Sequence, residues 1–269
     1  MRRSSWIILA FVAAVPLRAQ EAPQYRFPPG DTLRYRETST GSMELFAPQG
    51  VIPLEVAHDA LIGIVSGNRD TVFAWYDSLA ISTSSAQGVN APAMRGVLGR
   101  RFVLRVSPRG AVRTLRAPDF PAAFEGVSDL RSQFFDFFLP LPDAPLAPGL
   151  AWTDSVSHRD STSGGRHSIM TRQGAYRVVG DTVIGGHAAV VVESVVRQSL
   201  LSWGPTQGVT ATSDLSGEER GFLYWDSIRG RLLARSRSAL LEGMVVIEGP
   251  AKTEMIQRLE YRSALTLVE

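Results

Sequence analysis

Residues 31–46, DTLRYRETSTGSMELF, alternate between apolar and polar side chains, and this alternation decides the fold class. The apolar positions on one side of an extended chain are Leu33, Tyr35, Met43 and Leu45, and most residues between them are polar. Because successive side chains of a strand point to opposite faces, the pattern is typical of an antiparallel strand with one dry face. The segment therefore predicts a half-buried β-strand.

The same period of two recurs further along the chain, which favours a protein built mainly of strands. One face of the next predicted strand carries Thr71, Phe73, Trp75, Leu79 and Ile81, and one face near the chain end carries Met255, Leu259, Tyr261, Leu265 and Leu267. Turns that contain glycine separate such strands. We predict a mainly β fold, a large curved antiparallel sheet that resembles half a barrel.

The chain also contains an internal repeat. Residues 101–110 resemble residues 221–230 at an offset of 120, with identical Phe, Ser, Arg and Gly positions. Landmarks repeated in the same order predict two similar β-meanders, at about residues 25–118 and 146–268. The alternative is two unrelated meanders that share glycine turns.

The joint between these halves, a helical linker at about residues 119–145, holds four closely spaced phenylalanines. Phe134, Phe137 and Phe138 keep helical spacing on one face, and Pro140 ends the predicted helix. Two interpretations remain open. The phenylalanines are ordinary core residues, or the helix is a movable plug over a cavity that holds an apolar ligand.

The first 20 residues have the layout of a secretory signal peptide. Arg2 and Arg3 precede an apolar stretch that is too short for a membrane helix, which needs about 20 residues. We predict a signal peptide at residues 1–20 and a single β-rich domain at residues 21–269. The expected location is periplasmic or extracellular, with no membrane-spanning segment.

Composition excludes several classes of site. The chain has no cysteine, which excludes disulfides and thiolate metal sites. Three of the 28 basic residues lie in the predicted signal peptide, which leaves 25 basic against 26 acidic residues. A chain so balanced lacks the clustered positive charge of a nucleic-acid-binding protein, so no nucleic-acid partner is predicted.

Catalytic motifs are missing from the sequence. It contains no nucleophile elbow, no zinc-binding helix motif and no phosphate-binding loop. We therefore predict no catalytic residue, no enzyme activity, no metal and no cofactor. His158, Asp160 and His167 flank one loop and would hold a metal only loosely, so we interpret them as surface residues.

Arg231, Arg235 and Arg237 share one face of a predicted strand. Acids that can pair with them across strands lie nearby, at Glu218, Glu219 and Glu242. We interpret this arginine face as solvated and paired across strands. The alternative is that its guanidinium groups contact anionic headgroups.

Several turn and strand-start patterns resemble those of a set of uncharacterised exported bacterial proteins. The patterns are Phe27-x-x-Gly30, the proline-rich run from Leu139 to Trp152, and Trp225-Asp226-x-x-x-Gly230-x-Leu232. Those proteins are similar in architecture to periplasmic lipoprotein carriers, which are unclosed antiparallel barrels with short helices in the mouth. The resemblance implies this fold and, more loosely, binding of acyl chains. The arginine face departs from the apolar interior expected of a carrier.

These observations favour an exported, non-catalytic protein that binds or carries a hydrophobic, lipid-like ligand in the concave face of its sheet. The predicted ligand-binding residues are Phe134, Phe137, Phe138, Trp75, Trp203, Tyr224 and Trp225. The expected partner is a lipid or another apolar small molecule, or another envelope protein. The alternative function is a structural or interaction protein of the cell envelope, with a self-packed β core and no ligand.

Overall fold

A computed structural model describes residues 21–68, 70–118, 134–161, 164–206, 208–250 and 252–268. Within these residues the chain forms one sheet of twelve strands and one short 3₁₀ helix, Met94–Gly96. The strands are β1 (Thr32–Ala47), β2 (Gly50–Ser66), β3 (Thr71–Ser85), β4 (Gly88–Asn90), β5 (Phe102–Val106), β6 (Val112–Arg116), β7 (Ala151–Ser161), β8 (His167–Ile184), β9 (His187–Thr206), β10 (Val209–Asp226), β11 (Arg231–Glu248) and β12 (Thr253–Leu267). The predicted signal peptide lies outside the described residues.

The strands lie side by side in the order β6-β5-β3-β2-β1-β12-β11-β10-β9-β8-β7, and β4 pairs with β3 off this path. All pairings are antiparallel. This order describes two meanders joined where β1 pairs with β12. Because β6 and β7 remain as edges, the sheet is not closed into a barrel, and the predicted fold class is confirmed.

The sheet curls so that strands far apart in its order face one another. Ile81 of β3 and Arg172 of β8 line the same cavity, although six strands lie between them in the sheet. Because successive side chains of a strand point to opposite faces, every second residue points into the concave side of the sheet. We call this concave side the trough. Tyr35 of β1 and Leu265 of β12 are buried there, as the sequence pattern predicts.

One predicted strand face is wrong, because β3 contains a β-bulge. Asp77 is the extra residue, since Leu61 pairs with Ser78 whereas Ile62 pairs with Tyr76. A bulge adds one residue and so reverses the alternation beyond it. Leu79 and Ile81 are buried in the trough as expected, but Phe73 and Trp75 lie on the outer face.

The landmarks of the predicted repeat have matching conformations. Gly30 precedes β1 with φ of +84°, and Gly149 precedes β7 with φ of +85°. Gly110 and Gly230, in the β5–β6 and β10–β11 turns, also have positive φ, a region that glycine occupies without steric cost. These matches agree with a duplication, and the duplication itself stays a prediction.

The phenylalanine-rich stretch is a turn followed by irregular chain in its described part. The backbone amide of Phe137 donates to the carbonyl of Phe134, and no helix follows within residues 134–149. The predicted helix is therefore wrong for residues 134–139, because the three phenylalanines find separate partners instead of lying along one helix face. Residues 119–133 of the predicted linker lie outside the described residues.

These phenylalanines fill one end of the trough. Phe134 packs on Phe102 with ring centroids 4.8 Å apart, and Phe137 packs on Tyr35 at 5.3 Å. Phe138 contacts Tyr25 at 5.0 Å. Edge-to-face rings at these separations stabilise a core beyond their buried area. We call this group the aromatic end of the trough.

Hydrogen bonds hold the stretch across the gap between the two edge strands. Leu141 donates its amide to the carbonyl of Arg109, in the turn before β6, at 3.0 Å. The indole Nε1 of Trp152, in β7, donates to the carbonyl of Pro140 at 2.9 Å. Residues 134–149, which we call the bridging stretch, thus cross the gap between the edge strands β6 and β7, which we call the seam. Across the part of the chain that the structure describes, no helix has the length and apolar character needed to span a membrane.

Candidate functional site

Six charged side chains meet on the floor of the trough, next to the aromatic end. They are Glu37 of β1, Asp136 of the bridging stretch, Arg172 of β8, Glu219 of β10, and Arg235 and Arg237 of β11. Three positive and three negative charges balance within this group. We call it the ionic cluster.

Arg172 and Arg237 share the carboxylate of Asp136. The Nη1 of Arg172 lies 3.1 Å from its Oδ2, and the Nη1 of Arg237 lies 2.5 Å from the same oxygen. Arg172 also donates to Glu219 Oε1 at 2.8 Å, whereas Arg237 lies 3.7 Å from Glu219 Oε2. One oxygen of Asp136 therefore sits between two guanidinium groups.

Arg235 connects the ionic cluster to the aromatic end. Its Nη1 donates to the backbone carbonyls of Asp136 and Phe137, at 2.7 and 3.1 Å, and its Nη2 lies 3.5 Å from Glu37. The guanidinium also lies over the Phe137 ring, 6.0 Å from the centroid. This arginine thus fixes the backbone of the bridging stretch, while its neighbours hold the Asp136 side chain.

Neutral groups make further hydrogen bonds with the cluster. Tyr261 donates its hydroxyl to Glu219 Oε2 at 2.5 Å and accepts from the amide of Gln198 at 3.2 Å. Gln198 in turn accepts from Arg172 at 2.8 Å, and Ser263 accepts from Arg237 at 2.9 Å. Such pairing offsets the large cost of removing charges from water.

The mutual pairing fixes the charge states. Burial alone would raise the pKa of Asp136, but Arg237, Arg172 and Arg235 hold this pKa well below its usual range. Burial would also raise the pKa of Glu219, but the charges of Arg237 and Arg172 lower this pKa below its usual value. Burial raises the pKa of the Tyr261 hydroxyl to about 12. At neutral pH the two acids are ionised and the tyrosine is protonated.

The predicted solvated arginine face is wrong. Arg235 and Arg237 point into the trough, where only 6% and 12% of their side-chain surfaces are exposed. Of the acids predicted to pair with them, Glu219 does so inside the trough. The sequence does indicate this orientation. Arg235 and Arg237 are an even number of positions from the buried Ala239 and Leu241, so all four point to the same face of the strand.

Two cavities in the trough meet at the ionic cluster. The larger, about 650 Å³, lies at the seam between the bridging stretch and strands β7–β11, and the smaller, about 310 Å³, lies on the other side of the cluster. Aliphatic residues line the smaller cavity away from the cluster, at Val56, Ile81, Met170, Leu200, Leu241 and Leu259. Asp136, Arg172 and Arg237 are the described residues that line both cavities.

The predicted ligand-binding residues fall into three groups. Phe138 lines the larger cavity. Phe134, Phe137 and Trp225 are buried in the aromatic end and line neither cavity. The remaining three, Trp75, Trp203 and Tyr224, alternate with inward-facing neighbours and so lie on the outer face. We therefore revise the predicted site to the residues around the two cavities, among which sequence reasoning missed Glu37, Asp136 and Arg172.

The histidines are dispersed. His158 packs on Phe135 and His167 stacks on Trp203, so the two face opposite sides of the β7–β8 hairpin. Within the described ranges no three His, Cys, Asp or Glu side chains are grouped to hold a metal ion. His58 lines the smaller cavity, where its Nε2 has no hydrogen-bond partner among the described residues. Burial, opposed by the charge of Glu37, lowers the pKa of His58.

The chain shows weak structural likeness to solved proteins. No family model and no curated protein matches the chain. A mutant of the Rh. blastica porin is similar at 10% identity and a TM-score of 0.23, covering 86% of this chain and all of its own. A protein from work on the asymmetric conductivity of engineered proteins is similar at 12% identity and a TM-score of 0.22, covering 87% of this chain. This likeness does not test the resemblance to exported carriers, which stays a prediction.

Proposed function

We propose that this protein is a non-catalytic binding protein that holds an aliphatic, lipid-like molecule in its trough. The observation that carries the proposal is the pair of cavities, about 650 and 310 Å³, on either side of the ionic cluster. Small-molecule sites typically enclose about 300–1,000 Å³ with mainly apolar walls and a few polar groups. The smaller cavity, with aliphatic walls and an ionic floor, suits the chain of such a molecule.

The aromatic end is a fixed part of this binding protein and does not act as a movable plug. Each buried phenylalanine contributes about 1.5–3 kcal/mol, so exposing Phe134, Phe137 and Phe138 together costs about 5–9 kcal/mol. A ligand of micromolar affinity gains about 8 kcal/mol in total. Because the cost matches the whole gain, the ligand enters the cavities while the phenylalanines stay in place.

The charge states of the ionic cluster favour binding over proton transfer. A general acid or base works best when its pKa lies near the operating pH. Burial and the paired arginines leave the pKa of Asp136 well below this range, and burial opposed by Asp136 and Glu219 leaves the pKa of Arg172 above its usual value. Groups with fixed charges at neutral pH are suited to holding a polar group in place.

Binding of the neutral fluorescent probe N-phenyl-1-naphthylamine tests the proposal. Leu200→Trp fills the smaller cavity, whereas Leu201→Trp places the same ring on the outer face of the same strand. We expect the wild type and Leu201→Trp to bind the probe at micromolar concentration and Leu200→Trp to lose at least about tenfold in affinity.

Native mass spectrometry of the gently purified protein provides a second readout, in which a bound lipid-sized mass is expected. A protein that carries no such mass and binds the probe equally in both tryptophan variants would contradict the proposal. That outcome would favour a self-packed envelope scaffold.

A further inference from the structure

We propose that the bound molecule carries one negative charge, a carboxylate at the end of its aliphatic chain, and that this group takes the place of the Asp136 carboxylate between Arg172 and Arg237. This inference rests on the proposed function and specifies the ligand class. Without ligand, the Asp136 carboxylate thus occupies the position of the ligand headgroup.

Asp136 lies on a different structural element from the other members of the ionic cluster. Glu37, Arg172, Glu219, Arg235 and Arg237 all lie on strands of the sheet, whereas Asp136 lies on the bridging stretch. The sheet therefore contributes three positive and two negative charges to the ionic cluster. One further negative charge balances the cluster, and a ligand carboxylate supplies the charge that Asp136 now provides.

The position of Asp136 makes its side chain replaceable. About 21% of its side-chain surface is exposed, compared with 4% for Glu219 and 3% for Glu37. It lines both cavities together with Arg172 and Arg237. A headgroup in the smaller cavity therefore reaches both guanidinium groups, while the Asp136 side chain has room to turn into the larger cavity.

The geometry of the two arginines suits a carboxylate. They approach one Asp136 oxygen at 3.1 and 2.5 Å, and hydrogen bonds between ionised partners are about twice as strong as neutral ones. Arg235 holds the backbone carbonyls of Asp136 and Phe137 at 2.7 and 3.1 Å. Only a side-chain rotation is therefore required, and the bridging stretch keeps its backbone position.

The chain of the ligand then extends away from the cluster. Leu200, Leu241 and Leu259 line the smaller cavity together with Met170. A carboxylate at the arginines and an alkyl chain along these residues matches an ionic floor with aliphatic walls. A quaternary ammonium headgroup would face the same arginines and be repelled.

The test compares dodecanoate with dodecanol, which has the same chain without the charge. Isothermal titration calorimetry at pH 7.5 gives the ratio of the dodecanol Kd to the dodecanoate Kd for the wild type, Asp136→Ala and the control Asp70→Ala. Asp70 is an exposed acid in the turn before β3, paired with Arg105, and it lines neither cavity. We expect a ratio above one in the wild type and Asp70→Ala, and a ratio at least about tenfold larger in Asp136→Ala.

A ratio that Asp136→Ala leaves unchanged, or a wild-type ratio below one, overturns this inference. The proposed function still stands in either case, because binding of dodecanol shows that the trough holds an alkyl chain. Failure of both molecules to bind the wild type overturns the proposed function as well. Dodecyl phosphate, with nearly two negative charges, should bind more weakly than dodecanoate, and tighter binding would assign the site to phosphate monoesters instead.

If Asp136→Ala does not fold, the wild type alone decides the question. The expected order of affinity is then dodecanoate, dodecanol and dodecyltrimethylammonium, and any other order contradicts the proposal.

Discussion

The aromatic end and the ionic cluster are neighbours in one trough, yet they use opposite physical means to fill it. The aromatic end buries the rings of Phe134 and Phe137 at 0% and 1% exposure, and these side chains need no partner beyond contact. The ionic cluster buries three arginines and three acids, each of which requires an opposite charge. Apolar packing therefore stabilises the first region, whereas the second is stable only when its charges balance.

Truncation of Phe137 should give the largest effect. Its ring contacts Tyr35, Phe134 and Phe138, so Phe137→Ala leaves a cavity in a packed core and should cost about 3–5 kcal/mol in the free energy of unfolding. Phe222→Ala is the control, because Phe222 is 42% exposed, and it should cost less than about 1 kcal/mol. Urea denaturation measures both. Equal losses would mean that the aromatic end is not a packed core.

Removal of one arginine should be the next largest effect. Arg237→Ala leaves Asp136, Glu219 and Glu37 buried with only two arginines, and should cost about 3 kcal/mol. The control is Arg177→Ala, which removes an exposed pair with Glu193 and should cost below about 1 kcal/mol. The two free energies come from the same denaturation series. A small loss in Arg237→Ala would show that the cluster does not depend on charge balance.

Acid should weaken the ionic cluster and leave the aromatic end unaffected. The folded-state pKa values of Asp136 and Glu219 lie below their unfolded values, although burial opposes this, because the paired arginines favour the charged forms. Their contribution is complete above the unfolded pKa of about 4 and is lost as the pH falls towards the folded pKa, by about 1.4 kcal/mol for each unit of depression. The expected loss of stability therefore begins as the pH falls below about 5.

Comparison with Asp136→Asn isolates this contribution. The variant should already be less stable at pH 7 and should lose less between pH 7 and pH 3 than the wild type does. Denaturation curves at pH 7, 5 and 3 provide the measurement. Parallel losses in the two proteins would assign the acid sensitivity to other carboxylates.

The sequence predicted the regular part of this molecule well. The alternation that places Leu33 and Tyr35 in the trough is local, so it can be read from a single strand. The same alternation placed Phe73 and Trp75 wrongly, because the bulge at Asp77 is defined by pairing with β2 and leaves no mark within β3 alone.

The candidate site was harder to predict, because its members are far apart in the chain. Arg237 and Asp136 are 101 residues apart, and Arg172 and Glu219 are 47 residues apart. The alternation of inward and outward side chains along each strand indicates that Glu37, Arg235 and Arg237 point into the trough. This part of the site can be predicted from the sequence. The position of Asp136 follows from the bridging stretch crossing the seam, and no local pattern encodes that crossing.

The most direct test of the central claim is a nuclear magnetic resonance titration of leucine-methyl-labelled protein with dodecanol. Leu200 and Leu241 line the smaller cavity, whereas their sequence neighbours Leu201 and Leu240 face outward on the same two strands. The account predicts saturable shifts for the methyl groups of Leu200 and Leu241 and none for those of Leu201 and Leu240. Shifts confined to the outward pair, or no shift in any of the four residues, would contradict a ligand in the trough.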